Sequence, residues 1–365
     1  MPPEIRADQR RTFGQFLRDH RRWLLSVLAA GAAVTFALVV LPQITGMGET
    51  LHRLRQGSKA WLAVGVVFQA LSIFGYIALF RTVFSCPGVR IGWRESYQIT
   101  LAGVVATKLF AAAGAGGIAL TAWALRSAGL NGRTVARRMA GFEILLYAIY
   151  MGALVVFGLG LAIGVLHGRA PGSLTLVPAS LGALVIGLVL AFGLLPGDIE
   201  RRLRGLSKVP TRARRLLERL ATVPRTVHEG LVTAFDLLRS PRPGLLGAVA
   251  YWGFDIATLW ATFHAFGAAP PIPVVVIAYF VGMLANAIPI PGGVGGVEGG
   301  LIGALLAFGV NGSAAILAVL AYRALSYWLP LLPGTAAYFQ LRRTVGRWRG
   351  SKPTRRAERT VPVTA

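Results

Sequence analysis

Five ionisable residues lie inside stretches of this sequence that are otherwise almost free of charge: Lys108, Glu143, Asp255, Glu298 and Arg323. A charge in such a stretch is costly, and it is kept to pair, to relay a proton or to meet a substrate. Arg323 lies ten residues inside the apolar segment 313–340, and Tyr327 follows it by one helical turn on the same face. Glu298 is its first candidate partner and Glu143 the second. Such a pair either ties two parts of the protein together or serves a substrate or proton. Asp255 sits between Phe254 and Ile256, so it should face protein or a cavity. Lys108 either reaches a headgroup phosphate or snorkels to the interface.

Glu298 closes the run Pro289-Ile-Pro291-Gly-Gly-Val-Gly-Gly-Val-Glu298, which cannot form a plain helix. Broken backbone at membrane depth is tolerated only where protein or water surrounds it, and it commonly marks substrate handling. A weaker break spans Ala111 to Gly117. Gly292, Gly296 and Gly300 repeat every four residues, as do Gly295, Gly299 and Gly303. Two readings of these glycines stand. They form smooth ridges for close helix packing, or they expose amides at a half-helix start that suits a phosphate or carboxylate. Pro289, Pro291, Gly292, Gly293, Gly295 and Gly296 are therefore candidate binding positions, with Gly116 and Gly117 in the first break.

The elements that must hold these residues are membrane helices. The chain is 55% hydrophobic and 14% charged, with a mean hydropathy of +0.61, which fits an all-α polytopic membrane protein. One cysteine, Cys86, excludes a disulfide framework, and the five histidines have no metal-ligand spacing. No Walker A sequence occurs. No cofactor is expected. The net charge of +24 sits between apolar runs, so anionic lipid headgroups, not nucleic acid, are the expected partners.

Apolar segments fall at 23–42, 59–80, 98–125, 136–166, 174–195, 244–266, 272–308 and 313–340. The first is longer than a signal-peptide core, so an uncleaved span is expected. Lys and Arg concentrate in the N-terminal arm 1–22 (six), the linker 197–243 (eleven) and the tail 341–365 (eight). All three are expected to be cytoplasmic. Segments 98–125 and 272–308 then enter and leave on one side, leaving six full spans and two re-entrant broken helices. In the linker, Val227, Leu231, Ala234, Phe235 and Leu238 recur at helical spacing, reading either as an interfacial amphipathic helix or as a solvated basic loop.

A shift of 180 residues superposes the breaks: Gly116 falls on Gly296, Gly129 on Gly309, Asn131 on Asn311 and Tyr147 on Tyr327. Glu143 falls on Arg323. Three full spans lie between the copies, so the halves 23–166 and 174–340 are expected to form an inverted repeat.

The motif Pro289-x-Pro291-Gly-Gly-x-Gly-x-x-Glu298, then Tyr322-Arg323-x-x-Ser326-Tyr327-Trp328 with Pro330 and Gly334, resembles the flippase-like lysylphosphatidylglycerol synthase transmembrane region family. Gly114-x-Gly116-Gly117 followed by Ala124-Leu125-Arg126-x-x-Gly129 is similar to its earlier motif, and Glu143 to an acidic position after it. The resemblance covers about residues 20 to 340. It implies a translocator of aminoacylated phosphatidylglycerol in the best-known members, where a cytosolic transferase is fused to it. Here a short basic tail follows the last span, so a stand-alone member without the transferase is expected, with its lipid left open. Ala111-Ala-Ala113 departs from the proline of the family's first break.

The expected function is a non-enzymatic lipid translocator of a bacterial cytoplasmic membrane, binding an anionic phospholipid or lipid-linked precursor near the midplane. In that reading Arg323 and Lys108 counter the headgroup charge, while Glu298 and Glu143 hold Arg323 or exchange protons. The alternative is a non-catalytic subunit or scaffold in lipid or envelope-glycan synthesis. A homo-oligomer or an envelope-synthesis partner is compatible with either. Trp252, Trp260, Trp328, Tyr322 and Tyr338 read as interface anchors and core.

Overall fold

The computed structural model describes residues 56–86, 89, 91–109, 115–168, 171–194, 226–240, 242–284 and 295–350. The segment 23–42, the proline–glycine core 285–294, the first break at 110–114 and most of the basic linker lie outside them. The described residues are helical throughout, with no strand among them. In chain order they form α1 (Lys59–Phe84), α2 (Trp93–Leu109), α3 (Ala115–Ser127), α4 (Gly132–Ala162), α5 (Gly172–Leu194) and α6 (residues 226–238). After a 3-10 turn at Pro243–Leu246 come α7 (Gly247–Phe266), α8 (Ile272–Met283), α9 (Gly296–Ala307), α10 (Gly312–Arg323) and α11 (Leu331–Gly350). A π-helical turn, Ala324–Trp328, joins α10 to α11.

Five stretches are long and apolar enough to cross a membrane: α1, α4, residues 172–191 of α5, the turn with α7, and the continuous rod Gly312–Trp348. Helices α3, α8 and α9 have 13, 12 and 12 residues. At 1.5 Å per residue they reach only about 18–20 Å, short of a hydrocarbon core about 30 Å thick. They work as pairs. Thr107 and Gly103 of α2 face Gly117 and Thr121 of α3 in that antiparallel order, and Gly282 of α8 packs on Leu301 of α9. The two interrupted segments therefore fold as the broken-helix pairs expected from the proline and glycine pattern.

Both pairs leave by the same turn. Gly129 (φ 113°) and Gly309 (φ 80°) end α3 and α9 in the left-handed region. Leu130 and Val310 then return their N–H to Leu125 and Leu305. Asn131 and Asn311 cap the next helices through their side-chain oxygens. The Gly-x-Asn-Gly repeat is thus a C-cap followed by an N-cap, used twice at the same offset.

The centre of the bundle is the seam between α1 and α7, where the backbones touch. A Cβ on Gly75 would lie 2.8 Å from Ala250 Cβ and 2.9 Å from both the Gly247 carbonyl and the Tyr251 amide nitrogen. Ser72 ties the seam by donating to the Tyr251 carbonyl at 2.8 Å. Gly75→Leu is expected to cost several kcal/mol by overpacking, roughly 1–3 at least. The measurement is thermal unfolding in detergent: Gly75→Leu lowers Tm by several degrees, while Gly253→Ala on α7, with open space around it, leaves it unchanged.

One boundary differs from the hydropathy reading. The last helix runs to Gly350, past 340, because Leu341, Thr344 and Val345 continue its packed face and Thr344 donates to Gln98 at 3.0 Å. In α6 the buried face is Gly230, Thr233, Ala234 and Leu237. Of the residues read as its apolar stripe, Ala234 is buried, whereas Phe235 and Leu238 are exposed. Gly230 lets α6 approach Ala140 of α4 closely, and that backbone contact selects the packed face.

Candidate functional site

A cavity of about 650 Å³ opens between α1, α2, α3, α4, α7, α8, the end of α10 and the π turn. That size suits a small-molecule or headgroup site. Its walls carry Lys108, Gly117, Glu143, Asp255, Arg323 and Tyr327, six of the positions singled out from sequence. Lys108 does not snorkel outwards. Its Nζ donates to the carbonyls of Tyr327 at 2.8 Å and Ser326 at 3.2 Å and lies 4.4 Å from the centre of the Tyr327 ring. The local sequence explains the contact. In an α-helix the Ser326 carbonyl would accept from the backbone four residues on, but that residue is Pro330, which has no N–H. The π turn and the lysine together serve the orphaned carbonyls.

Arg323 lies against the same Tyr327 ring, 4.8 Å from its centre. Its Nε donates to Glu298 Oε1 at 2.7 Å in a pair that is largely buried, with 11% and 14% side-chain exposure. Glu298, not Glu143, is therefore the partner. The other Glu298 oxygen accepts the Gly295 amide at 2.7 Å, so the carboxylate also satisfies a free N–H at the start of α9. The half-helix start, which one of the two readings offers to an external anion, already holds a carboxylate of the chain. Arg323 still has one group to spare, since its Nη2 is buried without a partner among the described residues.

Asp255 finds its partners in two buried tyrosines. Tyr322 donates to its Oδ2 at 2.7 Å and Tyr279 donates to the same oxygen. Gln69 adds a side-chain hydrogen bond. Asp255 thus joins α1, α7, α8 and α10 at one point. Glu143 differs: among the described residues it makes no ion pair and no hydrogen bond. Around it stand Tyr76, Tyr147, Tyr251 and Trp252, a wall of rings with centroids 5.1 Å apart for Tyr76–Tyr251, 4.8 Å for Tyr251–Trp252 and 6.5 Å for Tyr147–Trp252. Trp252 is fixed by donating to the Leu146 carbonyl at 2.8 Å.

The candidate glycines divide. Gly117 permits the tight α2–α3 crossing, since a Cβ there would lie 2.8 Å from the Gly103 carbonyl. Gly116 and Gly296 start their half-helices beside the breaks. Gly295 turns with φ 84°, and Cβ atoms built on Gly295, Gly299 and Gly303 meet nothing within 4 Å among the described residues, so that ridge is not a packing seam within them. Pro289, Pro291, Gly292 and Gly293 lie outside the described residues. Apart from Tyr327, the aromatic lining was not singled out as a site from sequence. Trp252 and Tyr322 are core residues, as read from sequence, and also line the cavity, while Trp328 is 48% exposed. A buried aspartate in need of donors was the available signal for Tyr279 and Tyr322.

An all-helical, multi-pass membrane protein with paired half-helices beside a charged, aromatic cavity is the class this fold and site define. The chain belongs to the family described as the lysylphosphatidylglycerol synthase TM region, which it matches over residues 23–334. It is also similar to UPF0104 membrane proteins of Methanothermobacter thermautotrophicus (strain Delta H). One match is 32% identical over 111 residues, 30% of this chain and 32% of the relative. Another is 23% identical over 334 residues, 87% of this chain and 95% of the relative. In the first of these the aligned part spans about a third of the relative's length.

Proposed function

We propose that the protein is a lipid translocator that holds an anionic phospholipid or lipid-linked precursor by its headgroup in the central cavity and moves it across the cytoplasmic membrane. One observation carries the reading. Lys108 and Arg323 border the same cavity against one tyrosine; among the described residues only Arg323 has a carboxylate in contact, and its Nη2 still has no acceptor. An anionic oxygen supplies what both cations lack. Gly117, Asp255 and Tyr327 shape the wall, while Glu298 holds Arg323 and Gly295 turns the chain into α9.

The broken helices fit that work. The crossings α4, α5 and α7 lie between the two half-helix pairs, and an odd number turns the second pair over relative to the first. We read the pairs as an inverted repeat entering from opposite faces, with both termini cytoplasmic. The protein moves its lipid without altering it covalently.

Transbilayer movement in liposomes tests this. With zwitterionic, anionic and aminoacylated reporters, the anionic reporters are expected to move in vesicles carrying the protein and to stop in Arg323→Ala. Folded protein that moves no reporter would overturn the reading.

A further inference from the structure

The central cavity and the residues just behind it hold three carboxylates, Glu143, Asp255 and Glu298, and two cations, Lys108 and Arg323. Two of the acids are fully engaged. Glu298 has Arg323 and the Gly295 amide, and Asp255 has two phenols and Gln69. Glu143 is the acid in excess, set among rings with no donor aimed at it. A carboxylate without a partner in such surroundings holds its charge at a cost, and any further negative charge nearby favours a proton on it. Among the described residues no arginine or lysine makes an ion pair with it; the cavity's two cations, Lys108 and Arg323, are engaged at its other end.

We propose that Glu143 is a proton-binding site of the cavity, taking up one proton when an anion occupies the Lys108–Arg323 end and giving it back when the anion leaves. The inference rests on the reading of that end as an anion site. The headgroup brings a negative charge into a space already one carboxylate in excess. A proton from the aqueous phase forms an O–H bond on Glu143 and cancels that added charge. Release of the anion on the far side lets the proton return to water there. Coupling of the two bindings is reciprocal, so the anion strengthens proton binding as much as the proton strengthens anion binding.

The other groups facing Glu143 leave it this role. Helix α1 presents Tyr76, α7 presents Tyr251 and Asp255, α8 presents Tyr279, and Tyr147 lies one turn along α4. The described part of α5, residues 172–194, carries no ionisable side chain. Helix α6 packs on α4 at Ala140 and Ile144 and carries His228, Glu229 and Asp236. His228 is engaged with the Gly193 carbonyl at 2.7 Å. Lys108 and Arg323 belong to the other end of the site and supply its attraction for the anion.

The test is proton uptake by the purified full chain in weakly buffered detergent, read with a pH dye, on adding short-chain phosphatidylglycerol. Wild type is expected to take up about one proton per bound lipid. Its affinity should weaken as pH rises, by up to ~10-fold per unit for one linked proton. Glu143→Gln, a mimic of the neutral acid, is expected to bind the lipid with no proton uptake and no such pH dependence. Should Glu143→Gln fail to fold, the infrared carboxylic-acid band of wild type serves instead, and it should grow on lipid addition. Lipid binding without uptake, or uptake that persists in Glu143→Gln, overturns the proton site and leaves the anion site standing. Proton release caused by a short-chain ammonium-bearing lipid also overturns it, by assigning Glu143 to a headgroup cation. No lipid binding at all overturns both readings.

Discussion

Arg323→Ala is expected to reduce lipid movement in liposomes by about 100-fold or more while the protein still reaches the membrane. The change removes both roles of the guanidinium. Its Nε leaves Glu298 in a largely buried position without its counter-charge, and breaking one side of such a pair costs about 3–5 kcal/mol. Its Nη2, the donor with no partner among the described residues, is lost to the anion. A hydrogen bond from a charged donor to the anion is worth up to about 3 kcal/mol, which at 1.4 kcal/mol per factor of ten is ~100-fold in movement. A double change separates the roles. Arg323→Ala with Glu298→Ala removes the stranded carboxylate, so melting temperature should recover towards wild type while movement stays lost. Movement that recovers along with stability would mean that the pair only ties α9 to α10. Arg323→Lys is expected to fall between, because a single ammonium cannot supply the fork that serves Glu298 and an anion together.

Much of this arrangement was legible in the chain because membranes make it so. Helix is the only way for these segments to satisfy their backbone in hydrocarbon, and the residues that cannot be helical therefore stand out. Gly129, Asn131, Gly309 and Asn311 gave away a repeated turn because capping needs those residue types. The Arg323–Glu298 pair followed from the cost of an unpaired charge. What the sequence hid is what depends on crossing geometry. Glu143 and Arg323 occupy equivalent repeat positions, yet they border one cavity without pairing, since Glu298 lies nearer in the fold and also caps α9. Lys108 looked like a snorkelling residue because nothing local announces that Pro330, more than 200 residues away, leaves a carbonyl for it. Tyr279 and Tyr322 are ordinary core tyrosines until α8 and α10 bring them to the same oxygen of Asp255. In α6, Phe235 and Leu238 keep the helical spacing read from sequence and lie on the side turned away from the bundle. The small side of the helix, Gly230, is what allows contact with α4.

Lys108→Met is expected to weaken both stability and anion handling, and Pro330→Ala should rescue only the first. The methionine keeps the length and apolar stem of lysine but removes the donor that serves the Ser326 and Tyr327 carbonyls. A buried carbonyl left unpaired costs about 1–3 kcal/mol, so melting temperature should fall by several degrees. Alanine at 330 restores a backbone N–H four residues beyond Ser326, lets the π turn relax towards an α-helix, and gives that carbonyl its own donor. In the Lys108→Met background, Pro330→Ala should therefore recover stability, a coupling readable from the double-mutant cycle. Lipid movement should remain low, because no backbone amide replaces a positive charge facing the cavity. If the double variant regains movement as well, Lys108 acts on the bend of the long helix, and the anion end of the cavity rests on Arg323 alone.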